Sequence, residues 1–135
     1  MQHDAFIGQI QTRARLDSRG AAEAATRATL ETLAERITPE LAENLASQLP
    51  RELGENVLRV TSNRKSGPAG AESFGEREFI DRVAEREHSD HTTAAHNSRA
   101  VFEMLDEATT GEIMNKVRQT LPEDLREFTL QGSQG

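Results

Sequence analysis

Apolar residues in this chain recur at spacings of three and four, and the stretches that carry them come in two similar series. Phe6, Ile7, Ile10 and Ala14 make the first stripe and predict a helix over residues 4–14. Asp17 or Ser18 can cap the next helix. That helix covers Ala21–Arg36, a run of strong helix formers whose apolar face reads Ala22, Thr26, Leu30, Leu33, Ile37. Thr38-Pro39-Glu40 is a start signal: a hydroxyl cap, a proline in the first turn and an acid against the helix dipole. Leu41, Leu45 and Leu49 continue one stripe, and Pro50 ends that helix near Ser47, since the residue before a proline resists the helical region. Leu53, Val57 and Leu58 mark a fourth, short helix. No stretch sustains an alternating pattern, so no sheet is expected.

The second series repeats the first. Shifted by 72 residues, Ala24–Leu58 lies without a gap on His96–Leu130. Twelve pairs are identical between Arg27–Leu58 and Arg99–Leu130, among them Arg27/Arg99, Glu31/Glu103, Leu33/Leu105, Glu35/Glu107, Pro50/Pro122 and Leu58/Leu130. With one further residue of offset, Phe6-Ile7 falls on Phe79-Ile80 and Arg13 on Arg86, which puts the slip in the loop after Asp17. One pair of repeats is too few for a solenoid. The expectation is one all-α domain over residues 1–135: a helical bundle of about eight short helices in two pseudo-symmetric four-helix repeats. Repeat one spans 4–58, a Ser/Gly-rich linker 59–77, repeat two 78–130, and residues 131–135 form a frayed tail. Phe74, the linker's one large apolar residue, is expected to pin it to the body.

Composition narrows the function classes. The net charge of −7 disfavours a nucleic-acid surface, because phosphate binding needs a basic face. No apolar run is long enough to span a membrane, and no secretory signal is visible at Met1-Gln2-His3-Asp4. With no cysteine there is no disulfide or thiolate chemistry, which fits a cytoplasmic protein.

Three stretches carry a family resemblance: Phe-Ile-x-x-Ile/Val with a following Arg, Ala46-Ser47-Gln48-Leu49-Pro50-Arg51-Glu52-Leu53, and Glu78-Phe79-Ile80-Asp81-Arg82-Val83-Ala84-Glu85-Arg86. Over roughly Asp4 to Phe128 the chain resembles the bacterial and archaeal family called domain of unknown function 2267. The resemblance implies a small, all-helical cytoplasmic protein. It brings no activity, cofactor or catalytic residue.

Candidate chemistry is sparse. His88, Asp90, His91 and His96 form the only histidine-rich stretch, and His88, Asp90 and His91 are the candidate metal ligands. Their spacing matches no standard motif, and an exposed loop between helices accounts for them equally well. Glu85 and His88 show a Glu-x-x-His spacing once, without the second copy that a di-metal bundle site needs. Arg27 and Arg99 each precede a Glu by four residues, which suits either a surface ion pair or a guanidinium reaching the Leu-Pro elbow at Pro50 or Pro122. No nucleophile with its base, and no phosphate loop, is present.

Three function classes remain. The first is a non-enzymatic module mediating protein–protein interaction, self-association included. The second is a carrier or sensor for a small apolar ligand, with a pocket between the repeats near Leu33, Leu105, Phe79 and Phe102. The third is a metal-dependent protein using His88, Asp90 and His91. No cofactor, nucleic acid or membrane is expected as a partner.

Overall fold

The computed structural model describes residues 1–62, 67 and 70–133. Its helices are α1 (His3–Ala14), α2 (Arg19–Arg36), α3 (Pro39–Ser47), α4 (Arg51–Thr61), α5 (Glu76–Glu87), α6 (His91–Ala108), α7 (Gly111–Gln119) and α8 (Glu123–Thr129). There is no strand among the described residues.

Local chemistry sets most boundaries. The Ser18 hydroxyl accepts from Ala21 N–H at 3.1 Å, Thr38 from Leu41 at 3.3 Å, and the Asp90 carboxylate from Thr93 at 2.7 Å. Asp90 is therefore the cap of α6. Both α1 and α5 end in a left-handed residue, Arg15 (φ 57°) and His88 (φ 59°). There the next N–H turns back to the helix, Leu16 to Gln11 and Ser89 to Ala84, at 2.9 Å each. Leu16 and Ser89 thus match at the larger offset and the caps Ser18 and Asp90 at the smaller, which leaves Asp17 as the extra residue of the first series.

The linker is shorter than the 59–77 read from the sequence. α4 continues past Leu58 to Thr61 because Val57 and Thr61 stay on the buried face. α5 begins at Glu76, whose N–H donates to Asp124 at 3.1 Å. Residues 63–66 and 68–69 of the Ser/Gly-rich stretch lie outside the described residues. Phe74 is buried: Arg82 lies over its ring at 4.0 Å, and Arg36 donates to its carbonyl at 2.8 Å. Gln131 and Ser133, in the segment expected to fray, bond to α6 through Arg99 and Glu103. Residues 134–135 are not described.

Helices from both series share one apolar core, with Phe6, Ile10, Leu30, Leu33, Phe79, Val83, Phe102, Leu105 and Phe128 in a single cluster. Phe79 sits 5.8 Å from Phe102 and 6.5 Å from Phe128, and the last two meet edge-on at 6.4 Å. Each such pair adds about 0.5–1.5 kcal/mol beyond burial alone. α1 packs on both α2 and α6, α5 packs on both α6 and α2, and α2 touches α6 directly. The α3–α4 hairpin covers α2, while α7 and α8 cover α6.

α2 and α6 touch, and both helices bury many small residues. Ala22, Ala25, Thr26, Ala28, Thr29 and Thr32 on α2, and Ala94, Ala95, Ser98 and Ala100 on α6, are all buried. Thr29 and Ser98 bring their hydroxyls to 3.3 Å, which two such short side chains can do only if the backbones lie close. Thr26 and Thr32 return their hydroxyls to the carbonyls of Ala22 and Ala28, so no donor is stranded there.

Two arginines then tie the series together reciprocally. Arg13 of α1 donates to Glu103 at 2.7 Å and to both carboxylate oxygens of Glu107 on α6. Arg86 of α5 donates to Glu35 on α2 at 2.8 Å and lies 3.5 Å from Glu31. Arg13 and Arg86 correspond in the repeat, as do Glu31 and Glu103, and Glu35 and Glu107. Burial pushes the Glu35 carboxyl up, but the hydrogen bonds and charges of Arg86 and Arg82 outweigh it and hold Glu35 below its ordinary range. The Arg13 hydrogen bond does the same for Glu107, and a backbone N–H from Ser133 leads for Glu103.

The two hairpins are braced by different means. Gly54 of α4 lies so close to α3 that a methyl group there would stand 2.8 Å from the Ala46 carbonyl oxygen. In the other hairpin the position of Ala46 is taken by Arg118, nearly buried, which grips Asp106 with two bonds of 2.8 Å and reaches the Thr129 hydroxyl at 2.9 Å. Gly54→Ala is therefore expected to destabilise the protein by about 1–3 kcal/mol, because backbone has to move. Gly8→Ala, in mid-helix with nothing within 4 Å, should stabilise it by about 0.5–1 kcal/mol. Thermal melts followed by circular dichroism check the pair; equal shifts of one sign would contradict it.

Candidate functional site

The four residues of the histidine stretch do not converge. His88 takes the left-handed turn after α5 and lines an open cleft of about 500 Å³ with Glu35, Arg82, Glu85 and Arg86. Asp90 is spent capping α6; the backbone N–H and side chain of Thr93 hold its carboxyl below the ordinary range. His96 places Nε2 2.9 Å from the Ala14 carbonyl oxygen, which ties α6 to the end of α1. His91, in the first turn of α6, meets Asp81 of α5 at 2.8 Å. Among the described residues, no group of three or more His, Asp or Glu side chains is placed to hold a metal ion.

The His91–Asp81 pair stands in a cleft of about 570 Å³ between α5 and α6, together with Glu76, Arg77, Ile80, Thr92, Ala95 and Arg99. A carboxylate facing an imidazole nitrogen can only accept, so Nδ1 carries the proton and donates to Asp81. Ile80 and Ala95 are buried and give the cleft an apolar floor. Asp81 and Arg77 were not singled out from the sequence. The chain reverses at His88 between Asp81 and His91, so helical spacing within one element gives no signal for their meeting.

Arg27 and Arg99 have different surroundings. Arg27 is exposed and has no hydrogen bond or ion pair with a described residue. Glu31, four residues on, instead faces Arg86 at 3.5 Å and Arg59 at 3.6 Å. Arg99 donates Nε to Gln131 at 2.7 Å and lies 5.2 Å above the Phe128 ring. Neither reaches a Leu-Pro elbow, because those carbonyls are already taken. Pro50 O accepts from Leu53 and Gly54, and Pro122 O from Arg126, so both prolines serve as the entry residues of α4 and α8.

The clefts described here do not reach Leu33, Leu105, Phe79 and Phe102, where the sequence suggests a pocket. All four side chains are fully buried in the common core, and the clefts described here are lined mainly by charged and polar side chains.

One buried polar pair stands apart. Glu87, at the end of α5, accepts from Asn97 of α6 at 2.9 Å and from Ser89 at 2.7 Å, all on Oε2. Its Oε1 and the Asn97 Oδ1 are both shielded from solvent with no donor. Burial raises the Glu87 carboxyl above its ordinary value, against the lowering effect of Ser89 and Asn97. The first series has two buried alanines, Ala14 and Ala25, at these positions.

The geometry is that of an all-helical protein with open, charged clefts. The chain belongs to the family described as "Uncharacterized conserved protein (DUF2267)", whose model matches residues 3–128. A search of curated proteins returned no match.

Because the folded state holds the Glu87 proton more tightly than the unfolded chain, this group's favourable contribution is complete below about pH 4.5 and is lost as pH rises through its folded value. Glu87→Gln supplies an N–H in place of the shielded oxygen and removes the charge. It should stabilise the protein by about 1 kcal/mol at pH 7 and leave it unchanged near pH 4. Urea denaturation at both pH values measures this, and a glutamine variant weaker than the parent at pH 7 would contradict it.

Proposed function

We propose that this chain is a non-enzymatic helical module that acts by binding another protein through equivalent positions on its two pseudo-symmetric repeats. The observation that carries the reading is the pair Leu58 and Leu130. They are identical partners in the repeat, yet they are 42% and 62% exposed, where most other repeated apolar positions are buried. Leu33/Leu105, Leu49/Leu121 and Leu53/Leu125 fill the core. Leu58 and Leu130 have no such duty, and exposed leucines kept in both copies suit contacts with an apolar partner surface. Each has an arginine and a glutamate close by in sequence, Glu55 and Arg59 or Arg126 and Glu127, which supply the polar rim that such contacts have.

The test replaces Leu58, and separately Leu130, with a photo-crosslinking leucine analogue in cells and identifies the adducts by mass. The proposal expects the same adduct from both positions, whether a second protein or another copy of this chain. The analogue placed at exposed Glu123 should not give it. Adducts no more selective than those from position 123 would overturn it.

A further inference from the structure

The cleft between α5 and α6 holds two guanidinium groups that make no ion pair with a carboxylate among the described residues. In this acidic chain Arg13, Arg19, Arg82, Arg86 and Arg118 are all paired with acids. Arg77, exposed in the first turn of α5, has no hydrogen bond or ion pair with a described residue. Arg99 gives Nε to Gln131 and its flat face to Phe128, which fixes its plane while its terminal nitrogens remain without an acid among the described residues. His91 lines the same cleft; its ring is oriented by Asp81, and its Nε2 is not used by that bond. The floor formed by Ile80 and Ala95 excludes water on one side and strengthens charge interactions above it.

We propose that this cleft binds a small molecule bearing one oxyanion, a phosphate or a carboxylate, held by Arg77 and Arg99 with His91 as a further polar contact. Planar guanidinium groups match the two oxygens of either anion. The volume of about 570 Å³ suits a metabolite-sized ligand. Glu76 and Asp81 on the same walls balance the two arginines, so a molecule with a single anionic group fits better than a polyanion. The first series does not repeat the arrangement. Arg77, Asp81 and His91 correspond there to Asp4, Gly8 and Arg19, and Arg19 is already bonded to Asp4 at 2.6 Å. The proposed site is thus single, and independent of the duplicated leucines.

The probes are inorganic phosphate and acetate, titrated separately at fixed ionic strength into the labelled full-length protein and followed by NMR of backbone and arginine side-chain N–H groups. The expected result is saturable shifts confined to Arg77, His91, Thr92 and Arg99, with the tighter of the two anions naming the ligand class. Arg77→Gln should weaken that binding by about tenfold, the loss of one charge-assisted contact. Arg51→Gln, on an exposed arginine of α4, should not change it. Because Arg99 also covers Phe128, Arg99→Lys is used beside Arg99→Gln, and both should weaken binding while the circular dichroism spectrum stays that of the parent. Shifts that rise linearly with either anion, shifts of equal size at Arg51 and Arg126, or undiminished affinity in Arg77→Gln would overturn the proposal.

Discussion

α2 and α6 lie close enough for Thr29 and Ser98 to touch through their hydroxyls. The rest of the arrangement follows from that closeness. With the two long helices together, α1 can reach α6 and α5 can reach α2, so each short helix packs across the boundary between the sequence repeats. The apolar stripes of both repeats then face one another, and a chain of modest length gains a single core instead of two small ones. The pairs Arg13 with Glu103 and Glu107, and Arg86 with Glu31 and Glu35, add to this at its edges. Partly exposed pairs of this kind contribute modestly one by one, and their value lies in fixing which helix meets which.

Once joined, the two series have used the same frame differently. The first keeps alanine and glycine: buried Ala14 and Ala25, and Ala46 against Gly54. The second puts polar groups at matching places, Glu87 with Asn97, and Arg118 with Asp106 and Thr129. Buried polar groups are costly unless bonded, and the second series satisfies most of them but leaves Glu87 Oε1 and Asn97 Oδ1 bare. The cleft with His91, Asp81, Arg77 and Arg99 belongs to the same half.

The helices were readable from the sequence because their signals are local. Thr38-Pro39-Glu40 starts α3 and Leu49-Pro50 separates α3 from α4, each through backbone chemistry within a few residues. The end of α4 was not readable, since Val57 and Thr61 extend it only because α2 lies beneath them. The repeated letters Arg13/Arg86, Glu31/Glu103 and Glu35/Glu107 were visible, but the reason for them was not. Helical spacing pairs Arg27 with Glu31, whereas the fold gives Glu31 to Arg86, from the other series. The same limit hid Asp81, which meets His91 across the turn at His88. Metal ligation by His88, Asp90 and His91 suggested itself from closeness in sequence; the left-handed turn at His88 and the capping duty of Asp90 send the three side chains to different tasks.

A shared core requires that the two series unfold together, although each repeats the other's helices. Differential scanning calorimetry tests this most directly, since the chain has no Trp or Tyr to report on either half. The account predicts one transition whose calorimetric enthalpy equals its van't Hoff enthalpy. Two resolved transitions, or a calorimetric enthalpy near twice the van't Hoff value, would show that the halves fold as separate lobes and would contradict it.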